Sequence, residues 1–270
     1  MPELPEMENY KILLTEKVVG KKIIEVEVNR EKSINVPIDQ FKQVVEGKKI
    51  VKIGRRAKHL LFYLDNDQIL LLHLMLGGWM FYGTEDEKPN RTIQVKLSFG
   101  VENLYFIGLR LGYLHLFSKG EIEERLKDLG PEPLEQDGFS LAIFQKMIEN
   151  KRGILKTSLV DQGFIAGIGN CYSDEICFDA AILPMKKGAE LGNNQIKILY
   201  SSIQNVLKEA TREGGYMESP LYVGDQLTGG FDPQCKVYDR EGEPCTRCGS
   251  PIIKEIISSK KTFYCKTCQH

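Results

Sequence analysis

Apolar positions along the chain follow one period at its start, a second through its first half and the first again beyond. Met7, Tyr10, Leu13, Leu14 and Val18 recur at the spacing that lines one side of a helix, and the run stops at Gly20. Period two then takes over at 24–28, 50–53, 60–64, 69–74, 93–99, 104–107 and 113–117. Alternate side chains of a strand face opposite ways, so these runs predict an antiparallel β domain, a sandwich, over about the first 118 residues. From Glu121 to about Gly214 the period is helical, with a short stripe at 139–148 and a long one through Ile196, Leu199, Ile203, Val206, Leu207 and Ala210. Leu129-Gly130-Pro131-Glu132-Pro133-Leu134 has the composition of a linker. The chain closes on two β-prone runs, 252–257 and 262–264, around a Ser258-Ser259-Lys260-Lys261 tip. The expected fold is α+β and multidomain, with parts at 1–130, 131–230 and 231–270.

Composition changes this picture in two places. No apolar run approaches the ~18 residues of a membrane span, and Met1-Pro2-Glu3-Leu4-Pro5-Glu6 lacks the basic, then apolar, pattern of a secretory signal. The expectation is a cytoplasmic protein without a membrane partner. A net charge of −1 argues against a uniformly basic surface. The distribution is uneven, however: Lys48, Lys49, Lys52, Arg55, Arg56 and Lys58 fall within eleven residues that hold no acid. A second basic stretch, Arg247, Lys254, Lys260, Lys261 and Lys266, faces only Glu255. Such patches suit phosphates, although an ordinary solvated face has the same appearance.

Seven cysteines cannot all pair. Four of them form Cys245-x-x-Cys248 and Cys265-x-x-Cys268 with sixteen residues between, so two tight turns can bring four thiolates to one tetrahedral zinc. One structural Zn2+ is therefore expected, and Cys171, Cys177 and Cys235 read as small buried apolar residues. At the other end, removal of Met1 would leave Pro2 as an N-terminal secondary amine. A terminal amine has a pKa near 8, low enough for a substantial unprotonated fraction to attack an electrophilic carbon, and Glu3 stands beside it as an acid. Many chains begin Met-Pro without any such chemistry, so this feature needs company.

The company is extensive. The Pro2-Glu3-Leu4-Pro5-Glu6 start, Arg55-Arg56-Ala57-Lys58-His59-Leu60-Leu61 on an early strand, and the 129–134 segment come in order. Asp161-Gln162, Ala166-Gly167-Ile168-Gly169-Asn170, Tyr172-x-Asp174-Glu175 and the terminal four-cysteine finger follow. Together they resemble the formamidopyrimidine-DNA glycosylase and endonuclease VIII family along the whole chain. The resemblance implies an N-terminal β-sandwich, a helix-two-turn-helix domain and a zinc-finger hairpin. It also implies a monomer that binds damaged double-stranded DNA across a cleft, associates with the nucleoid through it, and flips the damaged base out. It makes Pro2 the nucleophile that forms an iminium with C1′, Glu3 the acid that assists opening of the deoxyribose, Glu6 a pocket carboxylate, and Lys58 and Asn170 phosphate contacts. The implied activity is a bifunctional glycosylase and AP lyase for oxidised or ring-opened bases, purines such as formamidopyrimidine and 8-oxoguanine, ending in β,δ-elimination. The alternative is a catalytically weak paralogue that binds abasic or distorted DNA.

Three departures from the family pattern bear on the site. Lys260 stands at the finger tip where an arginine is usual, and a lysine cannot give a bidentate grip on phosphate. The His-Leu-x-Met strand reads His73-Leu74-Met75-Leu76, which keeps His73 as an expected DNA contact and makes Leu76 the residue expected to enter the vacated base position, unless Met75 does so after a register change. The Asp-Pro-Arg-Arg-Phe-Gly loop reads Ile107-Gly108-Leu109-Arg110-Leu111-Gly112, so Leu109, Arg110 and Leu111 are the expected DNA contacts there. Leucines can wedge and unstack bases, but they cannot hydrogen-bond a base edge.

Overall fold

In the computed structural model of the chain, which describes every residue except Gln136, the leading apolar stripe forms helix α1 (Leu4–Val18). Its Met7, Tyr10, Leu14 and Val18 are buried in the core of a two-sheet sandwich. One sheet has the order β1-β6-β7-β5 and the other β2-β3-β4-β8, all pairs antiparallel. The strands are β1 (Glu25–Val28), β2 (Ile50–Arg56), β3 (His59–Leu64), β4 (Gln68–His73), β5 (Trp79–Gly83), β6 (Ile93–Ser98), β7 (Asn103–Ile107) and β8 (Tyr113–Ser118). Val26, Val95, Leu97, Leu104 and Phe106 from the first sheet and Leu60, Phe62, Leu70, Leu72 and Leu114 from the second fill one continuous core. On the outer face of the second sheet, helix α3 (Lys119–Leu126) lays Ile122 against Leu61, Ile69 and Leu71.

Two elements of this unit escape the periodicity. Helix α2 (Ile38–Val45) is short and buries only Phe41 and Val45. Strand β5 is covered on both faces: Met80 and Tyr82 enter the main core, and Phe81 joins Tyr105 and Ile107 outside it. A strand buried on both sides loses the alternation that marks a half-buried one.

The chain divides into two compact units, Met1–Lys127 with Glu213–Gly230, and Asp128–Arg212 with Phe231–His270. The second is built on helix α7 (Asn193–Arg212), whose stripe from Ile196 to Ala210 is buried as its spacing requires. Helices α4 (Leu141–Glu149) and α6 (Asn170–Asp179) pack against it, and α6 in turn meets α5 (Leu155–Leu159) and β10 (Lys260–Tyr264) of the hairpin that β10 forms with β9 (Ile253–Ile257). The stretch at 129–134 is a packed segment here, not a free linker. Gly130 N donates to Gln162 O at 2.8 Å and Ala166 N to Pro131 O at 3.0 Å, and a Cβ on Gly130 would fall 2.7 Å from the Phe164 backbone.

Candidate functional site

Pro2 is buried immediately before α1, and Glu3, only 2% exposed, is the residue that caps it. The first turn of a helix leaves backbone N–H groups without partners. Glu6 supplies a carboxylate for one of them: its Oε2 accepts the Glu3 N–H at 2.7 Å, in a capping box with Glu3. Its Oε1 accepts the Tyr216 N–H at 2.8 Å. The close approach is possible because Gly215 has no side chain; a Cβ there would stand 2.2 Å from Glu6 Oε1. Gly214 and Gly215 both have positive φ, 75° and 79°, which suits glycine. Glu6 thus ties the Pro2-Glu3 terminus to the segment 213–230.

That segment is fastened at several further points. Asn9 Nδ2 donates to Thr228 Oγ1 at 2.8 Å, Tyr10 Oη to Ser219 O at 2.7 Å, Trp79 Nε1 to Pro220 O at 2.9 Å, and Tyr82 N to Leu221 O at 2.6 Å. Asp225 folds the segment on itself by accepting from Leu221 N, Leu227 N and Thr228 N. Sequence reasoning carried this stretch with the helices. The signal it passed over is the Gly214-Gly215 pair, where a helix ends and a close approach begins.

Lys58 is not on a strand. It sits with Ala57, at φ 52°, in the two-residue turn between β2 and β3, and it is 5% exposed. Its carbonyl lies 3.2 Å from His73 Nδ1, and His73 stacks on His59 with ring centroids 4.4 Å apart. The row continues through Tyr113 to His115, whose rings stack at 4.0 Å. Burial holds all three histidines neutral, pushing His59 down to about 3 and His115 to about 4, with His73 also lowered.

The loops after β4 and β7 pack backbone to backbone. A Cβ on Gly108 would lie 1.9 Å from Gly77 O, and one on Gly112 2.4 Å from His73 O. This brings Leu76 and Leu111, 76% and 68% exposed, to the outside of the paired loops, with Arg110 exposed beside Leu111. Leu109 departs from expectation. It is wholly buried in the sandwich core, with its N–H on Gln94 Oε1 at 3.1 Å and its carbonyl taking Arg30 Nη1 at 3.2 Å, so it presents no wedge. An aliphatic side chain at that position is drawn inward by the apolar core.

In the second unit Asn170 is exposed as the first residue of α6, following Gly169. Gln162 pins the preceding loop through Ile168 O and Gly167 N. A buried ion pair lies behind it: Lys156 Nζ reaches Asp174 Oδ1 at 2.6 Å and Asn170 O at 2.9 Å, while Asp174 Oδ2 accepts Phe263 N at 3.0 Å from β10. Burial drives the Asp174 carboxyl up and the Lys156 ammonium opposes it. Lys260, half-exposed, opens β10 opposite Ile257 after the turn at Ser258 and Ser259, both with positive φ.

Cys245, Cys248, Cys265 and Cys268 bring their sulfurs within 4.8 Å of one another, with Cys245 and Cys268 at 3.8 Å and Cys248 and Cys265 at 3.6 Å. Four thiolates about 2.3 Å from a tetrahedral zinc stand about 3.8 Å apart, so the cluster fits one structural zinc. Backbone bonds shape both turns, Gly249 N to Cys245 O at 2.8 Å and Gln269 N to Cys265 O at 3.2 Å. Cys171, Cys177 and Cys235 are buried, and burial pushes the Cys177 thiol up.

Comparison with known proteins agrees along the whole chain. Three family models match: the formamidopyrimidine-DNA glycosylase N-terminal domain at residues 1–113, the formamidopyrimidine-DNA glycosylase H2TH domain at 129–219, and the zinc finger found in FPG and IleRS at 242–270. The formamidopyrimidine-DNA glycosylase of Halalkalibacterium halodurans is 37% identical over 275 residues, covering 100% of both chains. That of Listeria monocytogenes is 36% identical over 274 residues, again covering both fully. Among solved structures, a Lactococcus lactis FPG mutant in complex with Fapy-dG-containing DNA superposes with a TM-score of 0.92 at 31% identity over 100% of both chains. A complex of the Lactococcus lactis Fpg with abasic-site DNA gives 0.92 at 31% over 99% of both.

Proposed function

The chain belongs to the formamidopyrimidine-DNA glycosylase family, and from that premise we propose how its own residues carry out the reaction. It is a DNA glycosylase of base excision repair with AP lyase activity, acting on damaged double-stranded DNA. The binding-only reading is not favoured, since the relatives matched over their full length are glycosylases by name. Its substrates in this proposal are oxidised or ring-opened purines, and it works as a monomer. Among the described residues no helix is long and apolar enough to cross a membrane. A cytoplasmic protein associated with the nucleoid through DNA is the corresponding proposal for location.

Pro2, freed of Met1, attacks C1′ of the flipped nucleotide and the damaged base departs with a proton. Glu3 protonates the ring oxygen as the C1′–O bond opens, leaving an iminium between the Pro2 nitrogen and C1′. The iminium withdraws electrons, so loss of a C2′ proton expels the 3′ phosphate and a second elimination expels the 5′ phosphate. Water then hydrolyses the iminium and returns the amine. Lys58, Asn170 and Lys260 serve as phosphate contacts, with His73 supporting the Lys58 turn. The zinc fixes the hairpin that carries Lys260, and supplies folding energy, not reactive chemistry.

The observation that supports this reading best is the position of Glu3, buried next to Pro2 and clamped by Glu6 through its own N–H. A base would be flipped to a terminus whose backbone is already fixed, the preorganisation a nucleophile and acid pair requires. The test is strand cleavage of duplexes carrying formamidopyrimidine, 8-oxoguanine or an abasic site by the mature protein. Cleavage of all three is expected. Glu3→Gln should lose base excision while keeping affinity for an abasic-site duplex; undiminished excision by that variant would remove Glu3 from the role.

A further inference from the structure

Leu109 lies past the end of β7, and two side chains serve its backbone in place of a strand neighbour. Gln94, 5% exposed, accepts the Leu109 N–H on Oε1 at 3.1 Å, and Arg30 Nη1 donates to the Leu109 carbonyl at 3.2 Å. Gln94 reaches that N–H because it is the extra residue of a bulge. Strand β6 pairs with β7 through Ile93 on Ile107 and then through Val95 on Phe106, which places Gln94 between the two pairs, and a bulge re-aims the side chain it carries. Gln94 O also accepts Asn29 N at 2.9 Å, which fixes the chain beside Arg30. Arg30 O accepts Ser33 N at 2.9 Å, and the fully buried Ser33 directs its Oγ to the same Leu109 carbonyl at 3.5 Å. The loop is thus held at three points: Gly108 against Gly77 O, Leu109 by Gln94 and Arg30, and Gly112 against His73 O. Between them Arg110 and Leu111 are the exposed residues.

We propose that Arg30 and Gln94 are positioning residues for base excision: by gripping the Leu109 backbone from both sides they hold Leu111 in the pose that enters the duplex. The proposal rests on the reading of Leu111 as a wedge into DNA. A wedge already held in one pose loses no conformational freedom when it inserts, and a small tilt of the loop would carry its tip away from the vacated base position. The Leu109 side chain anchors the loop in depth, and the two polar partners set its angle. All of these residues lie in the first unit.

The test uses the full-length protein and a duplex with a tetrahydrofuran abasic analogue opposite 2-aminopurine, whose emission rises when the base is unstacked. No chemistry is needed for this signal, so it is read apart from excision. At saturating protein the wild type should raise the emission, and Leu111→Ala should reduce the rise. Arg30→Met and Gln94→Met should each reduce it by about twofold or more, with circular dichroism showing the fold retained. Arg30→Lys should recover it, since the contact uses one donor and an ammonium supplies one. In a Leu111→Ala background, Arg30→Met should change the emission no further, as a residue acting through the loop tip requires. Should Gln94→Met not fold, the Arg30 variants decide. A rise unaffected by Leu111→Ala or by Arg30→Met, an additive loss in the double variant, or no recovery with Arg30→Lys overturns the proposal, as does a wild type that gives no rise. Excision of a formamidopyrimidine duplex by that same wild type would leave the glycosylase reading standing without it. A rise that depends on Arg30 in a protein that cleaves no damaged duplex would instead uphold the positioning role and remove the excision reading.

Discussion

Leu109 and Leu111 are two positions apart and have opposite environments, one wholly buried and the other 68% exposed. Sequence reading treated both as wedges because the loop pattern, and not the burial, was visible. Leu109→Ala should destabilise the fold by about 2–5 kcal/mol through the cavity it leaves. Leu111→Ala should shift stability by less than about 0.5 kcal/mol, as an exposed substitution does, yet slow base excision. Chemical denaturation paired with single-turnover kinetics separates the two. With Leu76 and Leu111 as the exposed apolar pair, the expectation is that partner identity goes largely unread, because neither can hydrogen-bond a base edge. Single-turnover rates for one lesion opposite each of the four bases should differ by less than about tenfold, roughly 1.4 kcal/mol. A preference for cytosine of about a hundredfold or more would show that Arg110 has taken the reading role.

At the scale of elements, the α7 stripe could be read because one of its faces is wet. Strands β3, β4 and β7, buried at most positions, could still be read as short apolar runs, while β5, five residues that open after Gly77-Gly78 and close on Gly83, was passed over. The zinc hairpin was legible from cysteine spacing alone. What spacing does not reveal is how the hairpin is anchored, through Phe263 N on Asp174 and Gln269 Nε2 on Ile182 O. Nor does it reveal that residues 213–230 fasten onto α1 and β5, since those bonds join residues some 140 to 219 positions apart. Metal analysis should give one zinc per chain. Chelation should unfold the hairpin and weaken DNA binding while the sandwich keeps its melting transition; a hairpin that stays folded without metal would contradict the structural role.

For the whole molecule, the neutral histidines His59, His73 and His115 set a pH limit. Their folded values lie below the ordinary 6.5, so the unfolded chain takes up protons first as the solution is acidified. The stability they contribute is complete above pH 6.5 and is lost as the pH falls towards 4. Melting temperatures should therefore decline across that interval, and His115→Phe should flatten the decline; an unchanged slope would show that other groups govern it. The central claim concerns the other end of the chain, where a buried Glu3 and a clamped helix start surround one imino nitrogen. Its most direct test is borohydride reduction of the mature protein with abasic-site duplex, followed by mass spectrometry of the cross-linked peptide. The account predicts a covalent adduct on the nitrogen of Pro2. No adduct, or an adduct on a lysine with Pro2 unmodified, would contradict it.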